Sequence, residues 1–91
     1  MQILSAAVAG TLESNDAFVE ISPGRGMTLT IESPVLDRYG AAIERAVRET
    51  LASFAVHDAA VRVTDRGALD CVLRARTETA ILRAAKGAGT C

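Results

Sequence analysis

Ninety-one residues suffice for one domain with a modest core, and 49% hydrophobic against 23% charged residues is an ordinary globular balance that excludes intrinsic disorder. Ten Lys plus Arg oppose eleven Asp plus Glu, a net charge of −1, which argues against attachment to nucleic-acid phosphates or to an anionic membrane surface. Aromatic residues are only 3% of the chain and Trp is missing, so the core is expected to be aliphatic, with few rings on which bases could stack.

From about Ile3 to Leu12 the residues are small and apolar, with Val8 and Leu12 as the larger anchors, and a strand is expected. Ser14-Asn15-Asp16 follows as a cluster of turn formers, since their side chains bond nearby backbone groups and Asn and Asp tolerate positive φ. A tight reversal there leads into a second strand, where Val19 and Ile21 face one way and Phe18 and Glu20 the other. Ser14 then sits at or beside the tip with its hydroxyl presented to solvent. Ser22-Pro23-Gly24-Arg25-Gly26 is a loop whose glycines lack the spacing and following lysine of a phosphate-binding loop. Met27 to Glu32 alternates cleanly, with Met27, Leu29 and Ile31 toward a core, as a third strand.

Ser33-Pro34 predicts a helix start, Ser33 as cap and Pro34 in the first helical position, with Asp37 favoured in the first turn by the helix dipole. Leu36, Tyr39, Ile43, Val47 and Leu51 form an apolar stripe over about five turns. Glu44 with Arg48 and Arg45 with Glu49 are spaced for pairing on the wet face. Gly40 within the helix predicts a close neighbour, a strand of the sheet. His57, next to Asp58, reads as a solvated loop residue rather than a catalytic base.

Ala59 to Thr64 alternates as a fourth strand and Asp65-Arg66-Gly67 is a compact turn. Leu69, Cys71, Leu73 and Ala75 alternate with Asp70, Val72, Arg74 and Arg76, a two-residue period that predicts a second hairpin, Ala59–Thr64 against Leu69–Arg76. The rival reading is one long helix from Ala68 to Lys86. A final helix is expected from about Thr77 to Lys86, ended by Gly87 and Gly89. Arg74, Arg76, Arg83 and Lys86 give a mildly basic region, read as a solvated face, with phosphates of a nucleotide-like group as the alternative. The order βββαββα predicts an α+β fold, a two-layer open sandwich with a mainly antiparallel sheet and two helices on one face. Its other face is left for water or for partner subunits.

Cys71 reads as a small core residue, and with Cys91 at the last position no disulfide framework is expected; two lone thiols suit a reducing, cytoplasmic setting. No secretion signal is legible at Met1–Leu4, and no apolar run approaches the ~20 residues of a membrane span. No nucleophile with a base, no carboxylate pair and no metal-ligand cluster stands out, so neither catalytic residues nor a metal site are expected.

Gly10-Thr11-Leu12-Glu13-Ser14-Asn15-Asp16, then Tyr39-Gly40-Ala41-Ala42-Ile43-Glu44, Val47-Arg48-Glu49-Thr50-Leu51 and the block from Asp65 to Arg76 resemble, in the same order, the acyl carrier (gamma) subunits of citrate lyase. The likeness covers almost the whole chain; the lead-in Met1–Ala6 and the tail after Lys86 are its least diagnostic parts. The resemblance implies that Ser14 is joined by a phosphodiester to a 2'-(5''-phosphoribosyl)-3'-dephospho-CoA arm whose thiol carries acetyl and citryl thioesters. It further implies catalytic alpha and beta partner subunits and a transferase that loads the arm, this chain being a non-catalytic carrier of residues 1–91. An exposed hydroxyl on a chain without chemistry of its own suits that role. Ordinary acyl carriers resemble acidic helical bundles with Asp-Ser-Leu at a helix start, a context that Ser14, after Glu13, does not share. The alternatives are the carrier subunit of malonate decarboxylase, against which the Gly67-Ala68-Leu69-Asp70-Cys71 block weighs, and a small α+β binding module.

Overall fold

The fold is given by a computed structural model, which describes residues 1–86. In chain order the elements are β1 (Ala7–Gly10), β2 (Ala17–Ser22), β3 (Met27–Glu32), α1 (Leu36–Ser53), β4 (Ala59–Asp65) and α2 (Asp70–Ala85). The sheet order is β1-β2-β4-β3: β2 is antiparallel to β1 and to β4, while β3 runs parallel to β4. The last strand therefore lies between two earlier ones. The parallel pair β3–β4 is connected through α1, as a parallel connection requires.

Alternation along the strands decides what the sheet buries. The register lines up Ala9, Val19, Val63 and Ile31 in one row and Ala7, Ile21, Val61 and Leu29 in the next, all on one face. Both helices cover that face, α2 across β1 and β2, and α1 beside it against β3. Ile43, Ala46, Val47 and Leu51 of α1, with Leu73, Ala80, Ile81 and Ala84 of α2, close the core. Each large aliphatic side chain so buried contributes roughly 1.5–3 kcal/mol. The helix threonines inside it, Thr50 and Thr77, return their hydroxyls to the carbonyls of Ala46 and Leu73, each at 2.8 Å, so neither oxygen is left unpaired. The expected two-layer α+β sandwich, mainly antiparallel with both helices on one face, is thus borne out.

The element order is not. Leu69–Arg76 is no strand: Asp70–Arg76 is the first half of α2, and Leu69 is its extended cap residue. A hairpin partner for β4 has no edge to join, because β2 and β3 already flank that strand. The buried positions Leu73, Thr77, Ala80, Ile81 and Ala84 follow the helical period; Leu69 and Cys71, which supplied the alternation, are exposed. The rival long-helix reading is the better one. Its expected stop at Gly87 and Gly89 lies outside the described residues, as does Cys91.

Smaller corrections have local causes. β1 spans only Ala7–Gly10; the lead-in buries Ile3 and places the Leu4 and Ser5 N–H groups on the Ala84 carbonyl. Pro34 sits in a turn and α1 starts at Leu36, since the Ser33 hydroxyl accepts from the Val35 N–H and donates to Asp65 Oδ2 at 2.7 Å. Leu36 and Tyr39, expected inward, are exposed because nothing among the described residues covers the first turns of α1. No strand approaches Gly40 either; a Cβ there would meet only the Leu36 side chain. Glu44 pairs with Arg48 as expected, but Glu49 turns to Arg74 of α2 instead of Arg45.

Helix α1 ends in a Schellman arrangement, with the Ala55 N–H on the Ala52 carbonyl and the Val56 N–H on that of Leu51. Ala55 takes the left-handed position, at φ +54°, where its Cβ is disfavoured. Ala55→Gly is expected to stabilise the chain by about 0.5–1 kcal/mol, read as a higher urea midpoint at unchanged slope.

Candidate functional site

Strand β1 ends at Gly10, whose φ is +96°. A Cβ there would fall 1.8 Å from the Ala17 carbonyl oxygen, so only glycine lets the outgoing and returning chains approach this closely. The connection is wider than the tight reversal expected: Thr11 to Asp16 forms a loop between Gly10 and Ala17. Asn15 adopts φ +65°, a conformation Asn accepts at low cost.

The loop is built around one carboxylate. Asp16 Oδ2 accepts the Thr11 hydroxyl at 2.6 Å, and Oδ1 accepts the Ala17 N–H at 2.7 Å. From α2, Arg76 reaches the same group with two donors, Nε to Oδ1 at 3.0 Å and Nη2 to Oδ2 at 2.9 Å. Thr11 Oγ1 in turn accepts the Glu13 N–H, and the Asp16 N–H donates to the Glu13 carbonyl. On the other side the Asn15 N–H donates to the Arg66 carbonyl at 2.8 Å and the Arg66 N–H to the Asp16 carbonyl at 2.9 Å, which carries the β2–β4 ladder into the loop. The Arg76 guanidinium, then Thr11 and the Ala17 N–H, hold the Asp16 carboxyl well below the usual carboxylate range; Asp16 likewise raises Arg76.

Ser14 stands at the outside of this braced loop and is exposed, as are Leu12, Glu13 and Asn15. No hydrogen bond among the described residues engages its hydroxyl. An ester-linked group needs a primary oxygen that can be approached from solvent, and the Ser14 hydroxyl meets that requirement while its support stays fixed.

The other residues singled out by sequence do not join it. Cys71, expected in the core, is instead exposed on the outer side of α2, and His57 is exposed as expected, while Asp58 accepts the Gly26 N–H at 2.7 Å rather than orienting His57. Of the basic region, Arg74 pairs with Glu49 and Asp70, Arg76 with Asp16, and Arg83 donates to the Val8 carbonyl, so three of its four cations are committed to the fold. Among the described residues no group of three metal-ligating side chains assembles. Sequence reasoning missed the Asp16–Arg76 pair, which spans sixty residues without a local signal.

An exposed serine on a braced loop of a small α+β domain suits a carrier domain, which presents a group rather than reacting itself. A family model for acyl carrier proteins, described as malonate decarboxylase delta subunit (MdcD), matches residues 5–84. The citrate lyase acyl carrier protein 2 of Salmonella paratyphi A is 52% identical, covering 94% of this chain and 91% of that one. The citrate lyase acyl carrier proteins of Klebsiella pneumoniae and Treponema denticola are 53% and 48% identical, over 94% and 92% of this chain and 91% and 97% of theirs. The chain belongs to the family of citrate lyase acyl carrier proteins. A crystal structure of a protein from Thermus thermophilus shares the fold at a TM-score of 0.62 and 14% identity, over 91% of this chain and 16% of that one.

Two outcomes test the construction of the loop. Gly10→Ala, strained both by its φ and by the Ala17 carbonyl, is expected to cost about 2–3 kcal/mol of stability in urea denaturation. Asp16 keeps its charge in the folded chain below the pH at which the unfolded chain, with a carboxyl pKa of about 3.9, takes up a proton. Its stabilisation is therefore complete above that value and is lost as pH falls from there through the depressed folded value. Asp16→Asn is expected to be less stable at pH 7 and to lose less between pH 5 and pH 3 than the parent, measured as urea midpoints.

Proposed function

We propose that this chain, acting as one carrier domain, is the acyl carrier subunit of citrate lyase, with Ser14 as the attachment point of its prosthetic arm. Ser14 Oγ is the ester oxygen of a phosphodiester to a phosphoribosyl-dephospho-CoA group, placed there by a loading transferase. When bound, that group supplies a terminal thiol for acetyl and citryl thioesters. The observation that carries the assignment is the exposed Ser14 hydroxyl on a loop fixed from two sides, by Arg76 and by the Arg66 backbone, in a chain of this family.

This chain's own residues hold and present. Asp16, Thr11 and Arg76 keep the loop in one shape, so the anchor's position is set by the fold while the arm moves. Tethering holds an acyl group at an effective concentration in the millimolar range at each partner site, provided the arm spans the distance. Bond exchange and cleavage belong to the alpha and beta subunits, and the complex works in the cytoplasm. Among the described residues no helix is long and apolar enough to cross a membrane.

The matched family model carries the name of the malonate decarboxylase delta subunit, which gives a second reading with the same anchor residue; the names of the relatives favour citrate lyase. Co-expression with the loading enzymes is expected to add one coenzyme-sized mass to the chain in intact mass spectrometry. Ser14→Ala is expected to abolish the adduct while shifting stability by less than about 0.5 kcal/mol, as befits an exposed loop position. An adduct that survives on Ser14→Ala would sink the assignment. Turnover with citrate lyase alpha and beta subunits, and none with malonate decarboxylase partners, separates the two readings.

A further inference from the structure

The carrier loop, the start of α1 and the start of α2 all lie at one end of the sheet, where Ala17 pairs with Asp65 and Glu32 with Thr64. Between the two helix starts runs a groove of about 410 Å³, lined mainly by apolar groups of Val35, Tyr39, Ala42, Ile43, Leu69 and Leu73. That volume is within the range of about 300–1,000 Å³ typical of small-molecule sites. Its rim touches the carrier loop: Gly67 and Ala68 also line it, the Arg66 carbonyl just before them accepts the Asn15 N–H, and Asn15 Oδ1 lies 3.8 Å from where a Gly67 Cβ would stand. Asn15 is the neighbour of Ser14.

We propose that this groove is a resting berth for the nucleoside end of the arm carried on Ser14, an inference that rests on Ser14 being the anchor. The occupant follows from the neighbourhood. A group esterified to Ser14 begins beside the groove, and its adenine is a flat, largely apolar ring that matches aliphatic walls and the half-exposed Tyr39. The Arg38 guanidinium lies 5.9 Å from the Tyr39 ring centroid, a cation stacked on a ring that lines the groove. The one carboxylate in the lining, Asp70, accepts from Arg74 Nε at 2.6 Å, a guanidinium it shares with Glu49, so the phosphates of the arm are placed away from Asp70 while the uncharged ring takes the groove. Leu69 is 69% exposed beside the rim, a large apolar surface with no partner in the isolated chain. Because the tether supplies an effective concentration near millimolar, a millimolar affinity holds the arm about half the time and releases it readily to partner subunits.

The test uses free dephospho-CoA as probe on the full chain carrying Ser14→Ala, followed by amide NMR, so the groove is read independently of attachment. The expected shifts fall on Tyr39, Gly67, Ala68, Leu69 and Leu73. Leu69→Asp is expected to weaken binding at least tenfold. Asp at a helix cap position favours folding, so lost binding in that variant does not reflect a lost fold. Leu82→Asp, outside the groove lining, is expected to leave binding unchanged. In the loaded parent chain the same amides are expected to differ from the unloaded chain, and Leu69→Asp to erase the difference while intact mass still shows the adduct. Failure to form any adduct counts against the Ser14 anchor, whereas the free-probe titration still reads the groove. Shifts confined to the open sheet face around Thr28, Thr30 and Arg62, no shifts at all, or loaded and unloaded spectra identical at these amides would overturn the berth. So would alpha or beta subunits covering the groove in the unloaded complex without displacing bound dephospho-CoA.

Discussion

One carboxylate organises the end of the molecule that matters. Asp16 receives a hydroxyl, a backbone N–H and a two-pronged guanidinium, and its side chain is only 14% exposed in doing so. The geometry fixes a loop of six residues, Thr11 to Asp16, five of them polar and the sixth an exposed leucine. It also ties the first reversal of the chain to the last helix, so the loop's position depends on the whole fold being assembled. A surface ion pair alone would be worth little; here the hydrogen bonds to Thr11 and Ala17 and the covered carboxylate make it structural.

The chemistry of the chain is concentrated by being left out. Polar groups in the interior are spent on the fold: Asp65 takes the Ser33 hydroxyl and the Ala68 N–H, and Thr50 and Thr77 answer their own helices. The arginines of α2 are likewise engaged with Asp16, Glu49, Asp70 and the Val8 carbonyl. Among the groups left outward at the sheet end are the Ser14 hydroxyl and an apolar groove whose lining meets the same loop. A scaffold of this kind provides position and surface, and the reacting atom is supplied by whatever is attached to it.

Much of this was legible in the sequence where local period and global fold agree. Met27, Leu29 and Ile31 alternate, and Ile43, Val47 and Leu51 recur at helical spacing, because in each element one face meets the core. The first half of α2 misled because its outer residues happened to alternate; that β4 is hemmed in by two strands is a fact of topology that no local pattern carries. Leu36 and Tyr39 fit the α1 stripe, yet the helix begins beyond the cover of the sheet and they stay outside. Ser14 was singled out by the wording of its segment rather than by any physical period. Its exposure followed from the turn formers around it, whereas the partner that braces the turn, Arg76, left no trace within reach of a local window.

Placing β4 between β2 and β3 orders the chain's assembly in time. Until Ala59 to Asp65 has been made, the β1–β2 pair and β3 have nothing to join them, and the inward sides of Val19, Ile21, Leu29 and Ile31 lack the strand that unites them. A nascent or truncated chain ending before Ala59 therefore presents two unclosed strand edges above an uncovered aliphatic surface, the combination that invites intermolecular pairing. Strand β4 acts as the keystone of the sheet, and premature termination upstream of it yields a fragment suited to aggregation rather than a smaller working domain.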